Sequence, residues 1–182
     1  MSTYSITRRI EIDAGHRIRS HGSKCRHLHG HRYAIEATCV ALAGVQRQGE
    51  QSGMVLDFGF LKQAMMELID AGCDHGLIVD IADEELLALF APEGAVREQW
   101  LAGLRQQVEQ NGYCLTVDTR LQSKLYIIAA PPTAECLAQH WFERLAPEVV
   151  RLSGEQARLQ RLRVWETPNC YADFVGEERS PA

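Results

Sequence analysis

The stretch SITRRIEIDAGHRIRSHGSKCRHLHGHRYAIEATCVALA, residues 5–43, largely decides the fold of this chain. Its beginning, Ser5 to Asp13, and its end, Tyr33 to Ala43, alternate between apolar and other side chains, which is typical of half-buried β-strands. Two such strands joined by a single connection predict an antiparallel hairpin. We therefore expect a sheet whose first two strands are neighbours in both sequence and space.

Three histidines lie where this hairpin would bring its strands together. His29 and His31 are two residues apart, so on a strand their side chains leave the same face. His16 has the parity of the isoleucines of the first strand, and the hairpin would place it opposite the other two. Three neutral imidazoles without a fourth protein ligand are typical of catalytic zinc, where water or substrate takes the open position. The sequence thus predicts a zinc site.

The connection between the strands carries a thiol and an unusual concentration of positive charge. A thiol beside a divalent cation and basic residues is expected to ionise, so Cys25 is a candidate base or nucleophile, although a buried inert cysteine is the commoner case. Residues 14–33 contain no acidic side chain, which indicates an anionic guest such as a phosphate ester, unless these are simply solvated loop cations. The basic residues are Arg17, Arg19, Lys24, Arg26 and Arg32.

Composition sets the class of protein. The chain has 182 residues, 46% of them hydrophobic and 24% charged, which predicts one globular domain over 1–182. Removing the five loop cations from the net charge of −5 leaves −10 elsewhere, which argues against a nucleic-acid partner. We expect a cytoplasmic protein with no membrane association and reduced thiols. The sequence shows no long apolar run, no apolar signal core and no CxxC pair among its six cysteines.

Two amphipathic helices are predicted after the hairpin. Asp57 is the expected N-cap of the first, which ends near Gly72, and Thr133 is the expected N-cap of the second. Two short strands close the pattern, so we predict an α+β fold in which an antiparallel sheet packs two helices on one face. Residues 80–130 read as an insertion, with helices at Glu84–Phe90 and Ala95–Gln110 and a hairpin from Tyr113–Val117 and Lys124–Ala129.

Two further features are candidates for function. Asp74 beside His75 suits a proton relay, although such a pair also occurs as a simple helix-end cap. Glu166 has the parity of the buried residues of its strand, so its carboxylate needs either an internal arginine or a ligand that presents two N–H groups. The other histidines, His21, His27 and His140, are predicted to be loop or surface residues.

These motifs together resemble the family of 6-pyruvoyltetrahydropterin and 6-carboxytetrahydropterin synthases, and they follow in that family's order over most of the chain. The three residues between Cys25 and His29 resemble the 6-carboxy branch, since the pyruvoyl branch typically has five. The motifs are His16, Cys-x3-His-Gly-His at 25–31, GMVLDF at 53–58, Asp74-His75, Pro132-Thr133-Ala134-Glu135 and Trp165-Glu166-Thr167.

The resemblance implies a zinc-dependent lyase with the tunnelling fold (T-fold), assembled as a homohexamer with sites between subunits. The implied substrate is 7,8-dihydroneopterin triphosphate, converted to 6-carboxy-5,6,7,8-tetrahydropterin, acetaldehyde and triphosphate in 7-deazaguanine (queuosine) biosynthesis. The implied roles are zinc binding by His16, His29 and His31, catalysis by Cys25, Asp74 and His75, and substrate binding by Glu166, Thr133 and Lys24.

Three other functions remain open at this point. The nearest is formation of the pyruvoyl product, or action on another pterin side chain. A zinc hydrolase would use a metal-activated water, with Cys25 only packing. A non-catalytic pterin- or zinc-binding protein would use residues 80–130 for partner recognition.

Overall fold

The computed structural model describes residues 3–177, which form seven strands and five helices. A 3-10 turn spans Lys24–Arg26, and a π-helical turn, Met66–Asp70, joins the first two helices. The strands are β1 Ser5–His16, β2 His29–Ala41, β3 Gly76–Asp80, β4 Tyr113–Thr116, β5 Leu125–Ile128, β6 Ala157–Thr167 and β7 Cys170–Val175. The helices are α1 Phe58–Met65, α2 Ala71–Cys73, α3 Glu84–Leu89, α4 Arg97–Asn111 and α5 Ala134–Leu152.

All seven strands belong to one sheet, in the order β4-β5-β3-β1-β2-β6-β7. The predicted hairpin is confirmed, since β1 and β2 pair antiparallel along their whole length. β2, β6 and β7 continue the antiparallel pairing. β3 lies parallel to β1, because the chain crosses back through α1 and α2 before it enters β3. β3 also lies parallel to β5. The α+β class is confirmed, with a sheet that is mixed where β3 joins it.

The main core lies between the sheet and α1, α2 and α5, which share one of its faces. Trp141 and Leu145 of α5 are fully buried against sheet residues such as Ile35. Both predicted caps are present: Asp57 accepts from the N–H of Gly59 at the start of α1, and Thr133 accepts from the N–H at the third position of α5. The prediction of two helices on one face is confirmed.

Residues 80–130 build a second core on the opposite face of the same sheet. Val79 and Ile127 pack with α3 and α4, whereas their strand neighbours Ile78 and Ile128 point into the main core. The predicted hairpin is also present, because β4 pairs antiparallel with β5. The insertion therefore extends the sheet and covers its second face at one end.

The surface prediction for His140 is wrong. This residue lies within α5, and its Nε2 is 2.7 Å from the hydroxyl of Tyr126 in β5. Arg144 donates to the same hydroxyl and to the carbonyl of Leu68, so the three side chains form a continuous hydrogen-bonded group. Burial lowers the pKa of His140 to about 4. His21 and His27 are exposed, as predicted.

Within residues 3–177, no helix has both the length and the apolar character needed to cross a bilayer.

Candidate functional site

The β1–β2 hairpin brings the three predicted histidines together. His16 pairs directly with His29, and Ala14 pairs with His31, so the three imidazoles face one another across the two strands. Their ligand nitrogens all lie within 4.8 Å of one another. Gly30 makes this approach possible, because a Cβ on it would lie 3.0 Å from the carbonyl oxygen of Ala14.

Backbone carbonyls hold two of the imidazoles in one tautomer. His16 Nδ1 lies 2.8 Å from the carbonyl oxygen of Pro132, and His29 Nδ1 lies 2.7 Å from that of His27. A carbonyl only accepts, so each Nδ1 carries the hydrogen and each neutral ring presents a lone pair at Nε2. These two Nε2 atoms are 3.1 Å apart. Two facing lone pairs repel unless a cation lies near both, so this donor set fits a metal ion.

The third imidazole contributes another unpaired nitrogen. His31 Nε2 is buried and has no hydrogen-bond partner among the described residues. Burial lowers the pKa of His31, and it lowers the pKa of His16 to about 4. Neutral imidazole is the form that binds metals, so the local environment favours the ligand state of both rings.

Glu166 and Tyr33 border the histidines. The strand parity of Glu166 is as predicted, but its carboxylate has no arginine partner in residues 3–177. Its Oε1 lies 3.7 Å from His16 Nε2 and 3.8 Å from His31 Nε2. Tyr33 packs edge-on against both of these rings, and its buried hydroxyl lacks a hydrogen-bond partner within the described chain. Burial raises the pKa of Tyr33. The parity that Tyr33 shares with His29 and His31 is the sequence signal that could have identified it.

Cys25 lies in a pocket of about 250 Å³ beside the histidines, together with Thr133 and Glu166. Its side chain is partly exposed, so it is not sealed in the apolar core. The pocket thus combines a thiol, a helix-capping hydroxyl and a carboxylate. Sequence reasoning missed three other lining residues, His21, Cys170 and Tyr171, because nothing in their local pattern distinguishes them from ordinary loop and edge-strand residues.

Asp74 and His75 form the predicted pair but lie in a different groove. Asp74 Oδ2 is 2.6 Å from His75 Nδ1, and Asp74 Oδ1 accepts from the backbone N–H of Asp13. The hydrogen bond from the Asp13 N–H lowers the pKa of Asp74, and His75 adds to this effect. Partial burial acts in the opposite direction but is outweighed. The carboxylate thus bonds to β1 instead of capping a helix end. His75 is 78% exposed and borders the groove that contains His31. The pocket that Cys25 lines does not include His75, and the groove that His75 borders does not include Cys25.

The structure corrects the predicted basic loop at two positions. Arg17 forms a double hydrogen bond with Asp83, and Arg32 forms one with Asp13. Their charges are already neutralised within the chain, so they are poor candidates for binding an anion. The remaining cations, Arg19, Lys24 and Arg26, are exposed and make no ion pair with any residue of 3–177. Lys24 does not line the Cys25 pocket.

A protein-family model described as 6-pyruvoyl tetrahydropterin synthase matches residues 5–177. The chain is 35% identical over 167 residues to the 6-carboxy-5,6,7,8-tetrahydropterin synthase of Rickettsia felis, covering 92% of this chain and 96% of that protein. It is 28% identical over 172 residues to the enzyme of that name from Haemophilus influenzae, covering 94% and 98%.

Solved structures show the same fold. An uncharacterised protein of Wolinella succinogenes superposes with a TM-score of 0.70 at 22% identity, covering 97% of this chain and 100% of that chain. The 6-pyruvoyltetrahydropterin synthase of Plasmodium vivax, in a catalytic-residue mutant, superposes with a TM-score of 0.58 at 16% identity, covering 96% and 98%. The predicted tunnelling fold is thereby confirmed.

Proposed function

Because this chain belongs to the 6-pyruvoyl tetrahydropterin synthase family, we propose that it converts 7,8-dihydroneopterin triphosphate and one water molecule to 6-carboxy-5,6,7,8-tetrahydropterin, acetaldehyde and triphosphate. The observation that carries this proposal is the convergence of three imidazole nitrogens beside a pocket that holds a thiol and a carboxylate. The corresponding pathway is 7-deazaguanine (queuosine) biosynthesis.

His16, His29 and His31 are the residues that would hold zinc. The carbonyl contacts of His16 and His29 leave Nε2 free on both rings, as a ligand set requires. Zinc bound there would act as a Lewis acid toward the hydroxyls of the substrate side chain. The protein's own contribution is to orient the rings and to keep them neutral.

Cys25, Thr133 and Glu166 are the proposed substrate contacts of the pocket. Glu166 accepts hydrogen bonds from the 2-amino group and N3–H of the pterin, a two-point contact that orients the ring system. The Cys25 thiolate then removes a proton from the substrate side chain. Arg19, Lys24 and Arg26 lie in the same loop with unneutralised charge and attract the triphosphate.

His75, oriented by Asp74, is the proposed group that returns a proton. His75 and Cys25 border different pockets of one chain, which supports a site completed by residues from two copies. We therefore propose a cytoplasmic homohexamer in which His75 acts in the site of a neighbouring subunit. A mixture of inactive Cys25→Ala and inactive His75→Ala chains, reassembled together, should regain part of the activity. Failure of every such mixture to regain activity would place both residues in one chain's site.

The product distinguishes the two branches of the family. Three residues between Cys25 and His29, and relatives that carry the 6-carboxy name, favour the carboxy product. The test is to incubate the zinc-loaded protein with dihydroneopterin triphosphate and to measure acetaldehyde with an alcohol dehydrogenase. Acetaldehyde in amounts equal to substrate consumed supports the proposal. Substrate consumption with triphosphate but no acetaldehyde would assign the pyruvoyl branch, and binding without consumption would exclude catalysis.

A further inference from the structure

We propose that Asp83, at the start of the insertion, is a positioning residue that sets the place of Cys25 through Arg17. This inference rests on the proposed function, because it assigns a task to residues 80–130 in the same site. Asp83 touches none of the predicted substrate contacts, so its effect must pass through the connection between β1 and β2.

Asp83 is almost completely buried, with 1% of its surface exposed. Its carboxylate receives two hydrogen bonds from Arg17, of 2.6 Å from Nε and 2.5 Å from Nη2. The same carboxylate caps α3, since Oδ1 accepts from the N–H of Leu86. Two parallel hydrogen bonds from a guanidinium to a buried carboxylate fix the position of both groups more strictly than an exposed ion pair does.

Arg17 connects this anchor to the site. It directly follows the proposed zinc ligand His16 in the chain. The next residue, Ile18, donates its N–H to the carbonyl of Cys25 at 2.7 Å. Two hydrogen-bonded contacts and one peptide bond therefore connect the insertion to the backbone of Cys25: Asp83 bonds to Arg17, Arg17 is followed by Ile18, and Ile18 bonds to the Cys25 carbonyl.

The rest of the connection has few other anchors. Most side chains between residues 17 and 28 are exposed. Within residues 3–177, Arg17 is the only side chain of this segment that forms a hydrogen bond outside the hairpin. Without the Arg17–Asp83 pair, the segment would depend on its own turn and on the Ile18–Cys25 bond, so the thiol would sample a wider range of positions.

Three variants and a matched control test this inference. Asp83→Asn keeps the shape and the helix cap but removes the charge, and Arg17→Met keeps the apolar stem but removes the guanidinium. The control is Arg105→Met, which breaks the exposed pair between Arg105 of α4 and Glu84 of α3. The control perturbs the same insertion without touching the connection. Arg17→Lys keeps the charge but not the two-point contact. Its amide exchange rate and its kcat should lie between those of Arg17→Met and those of the native protein.

Three readouts separate positioning from simple destabilisation. Amide hydrogen exchange of residues 17–28 should become about tenfold faster in Asp83→Asn and Arg17→Met and stay unchanged in the control. The kcat should fall by about 10- to 100-fold while KM changes by less than about threefold, because misplacement of a reacting group affects the chemical step. Zinc content should stay at the native level. In the double variant the two effects should not add.

Native exchange and native kcat in Asp83→Asn and Arg17→Met, or equal effects in Arg105→Met, would overturn the inference. If Asp83→Asn does not fold, the more exposed Arg17→Met and Arg17→Lys carry the same test. The exchange measurement needs no substrate. A native protein that turns over no dihydroneopterin triphosphate would therefore contradict the proposed function while still testing the positioning role.

Discussion

The β1–β2 hairpin and the insertion at residues 80–130 belong to one sheet, but they differ in whether their buried polar side-chain atoms have hydrogen-bond partners. In the described chain, six buried side-chain nitrogen or oxygen atoms lack a hydrogen-bond partner, and none of them lies in the insertion. Two belong to the histidine cluster region, His31 Nε2 and the Tyr33 hydroxyl. The other four, Arg8 Nε, Trp141 Nε1, Arg161 Nε and Trp165 Nε1, lie elsewhere in the sheet and in α5. A buried polar atom without a partner is costly, and the two beside the histidines lie where a bound metal or substrate can complete them. The hairpin therefore offers buried polar atoms to a ligand, whereas the insertion has no such atom in the described chain.

The largest difference between the regions should appear when their cysteines are replaced. Cys25→Ala should lower turnover by about 10²- to 10⁴-fold, the usual contribution of a positioned base, while zinc content stays the same. Cys114→Ala, in the core of the insertion, should leave turnover within about twofold of native, because it alters packing and one thiol contact, with Gln107, that both lie within the insertion. The measurement is acetaldehyde release together with metal analysis. Turnover that survives Cys25→Ala would favour a hydrolase with a zinc-activated water.

Core substitutions should also separate the two regions. Trp141→Ala removes a fully buried side chain from the main core and should lower the free energy of unfolding by about 3–5 kcal/mol, with loss of zinc affinity. Leu87→Ala, in the second core, should cost about 2–3 kcal/mol and leave zinc binding intact. Urea unfolding and zinc titration measure both effects. Equal loss of zinc affinity in the two variants would show that the regions do not behave separately.

A smaller effect should appear in the pH dependence of stability. The pKa of His140 is about 4 in the folded chain and about 6.5 when unfolded, so only the unfolded chain takes up this proton between those values. The contribution of neutral His140 to the free energy of unfolding is therefore fully present above pH 6.5. As the pH falls toward 4 this contribution is lost, and the loss reaches up to about 3 kcal/mol. Urea unfolding of metal-free protein at several pH values should show this slope, and His140→Gln should lack that part of it. Identical slopes would contradict the half-buried, neutral state of His140.

The smallest effect is expected for an exposed ion pair of the hairpin. Arg32 and Asp13 form a double hydrogen bond, but their side chains are 69% and 45% exposed. Arg32→Gln should leave the midpoint of urea unfolding nearly unchanged, because water screens such pairs. A clear loss of stability in thermal or urea unfolding would show that the pair is buried in the working assembly.

Local spacing explains why the histidine cluster could be predicted and other contacts could not. His16, His29 and His31 follow strand parity within one hairpin, so the alternation of two residues determines which face they share. The Arg17–Asp83 pair joins positions that are 66 residues apart, and it depends on how the insertion packs, which no local pattern encodes. Helical spacing does indicate the position of His140, which lies three residues after buried Leu137 and so shares its face of α5.

The fold likewise contains features set by local patterns and features set by distant contacts. Caps and apolar periodicity predicted α1 and α5, and alternation predicted the hairpins. The parallel pairing of β3 with β1 was not predicted, because it depends on a crossover between segments that are distant in sequence. The division of Ile78 and Val79 between two cores likewise follows from which helices cover each face.

Zinc titration of metal-free protein tests the central claim most directly, namely that His16, His29 and His31 converge to hold one metal ion. The account predicts one zinc per chain in the native protein and at least about 100-fold weaker binding in each single alanine variant of the three, with the fold preserved by circular dichroism. Native-strength binding in these variants, or no zinc bound by the native protein, would contradict it.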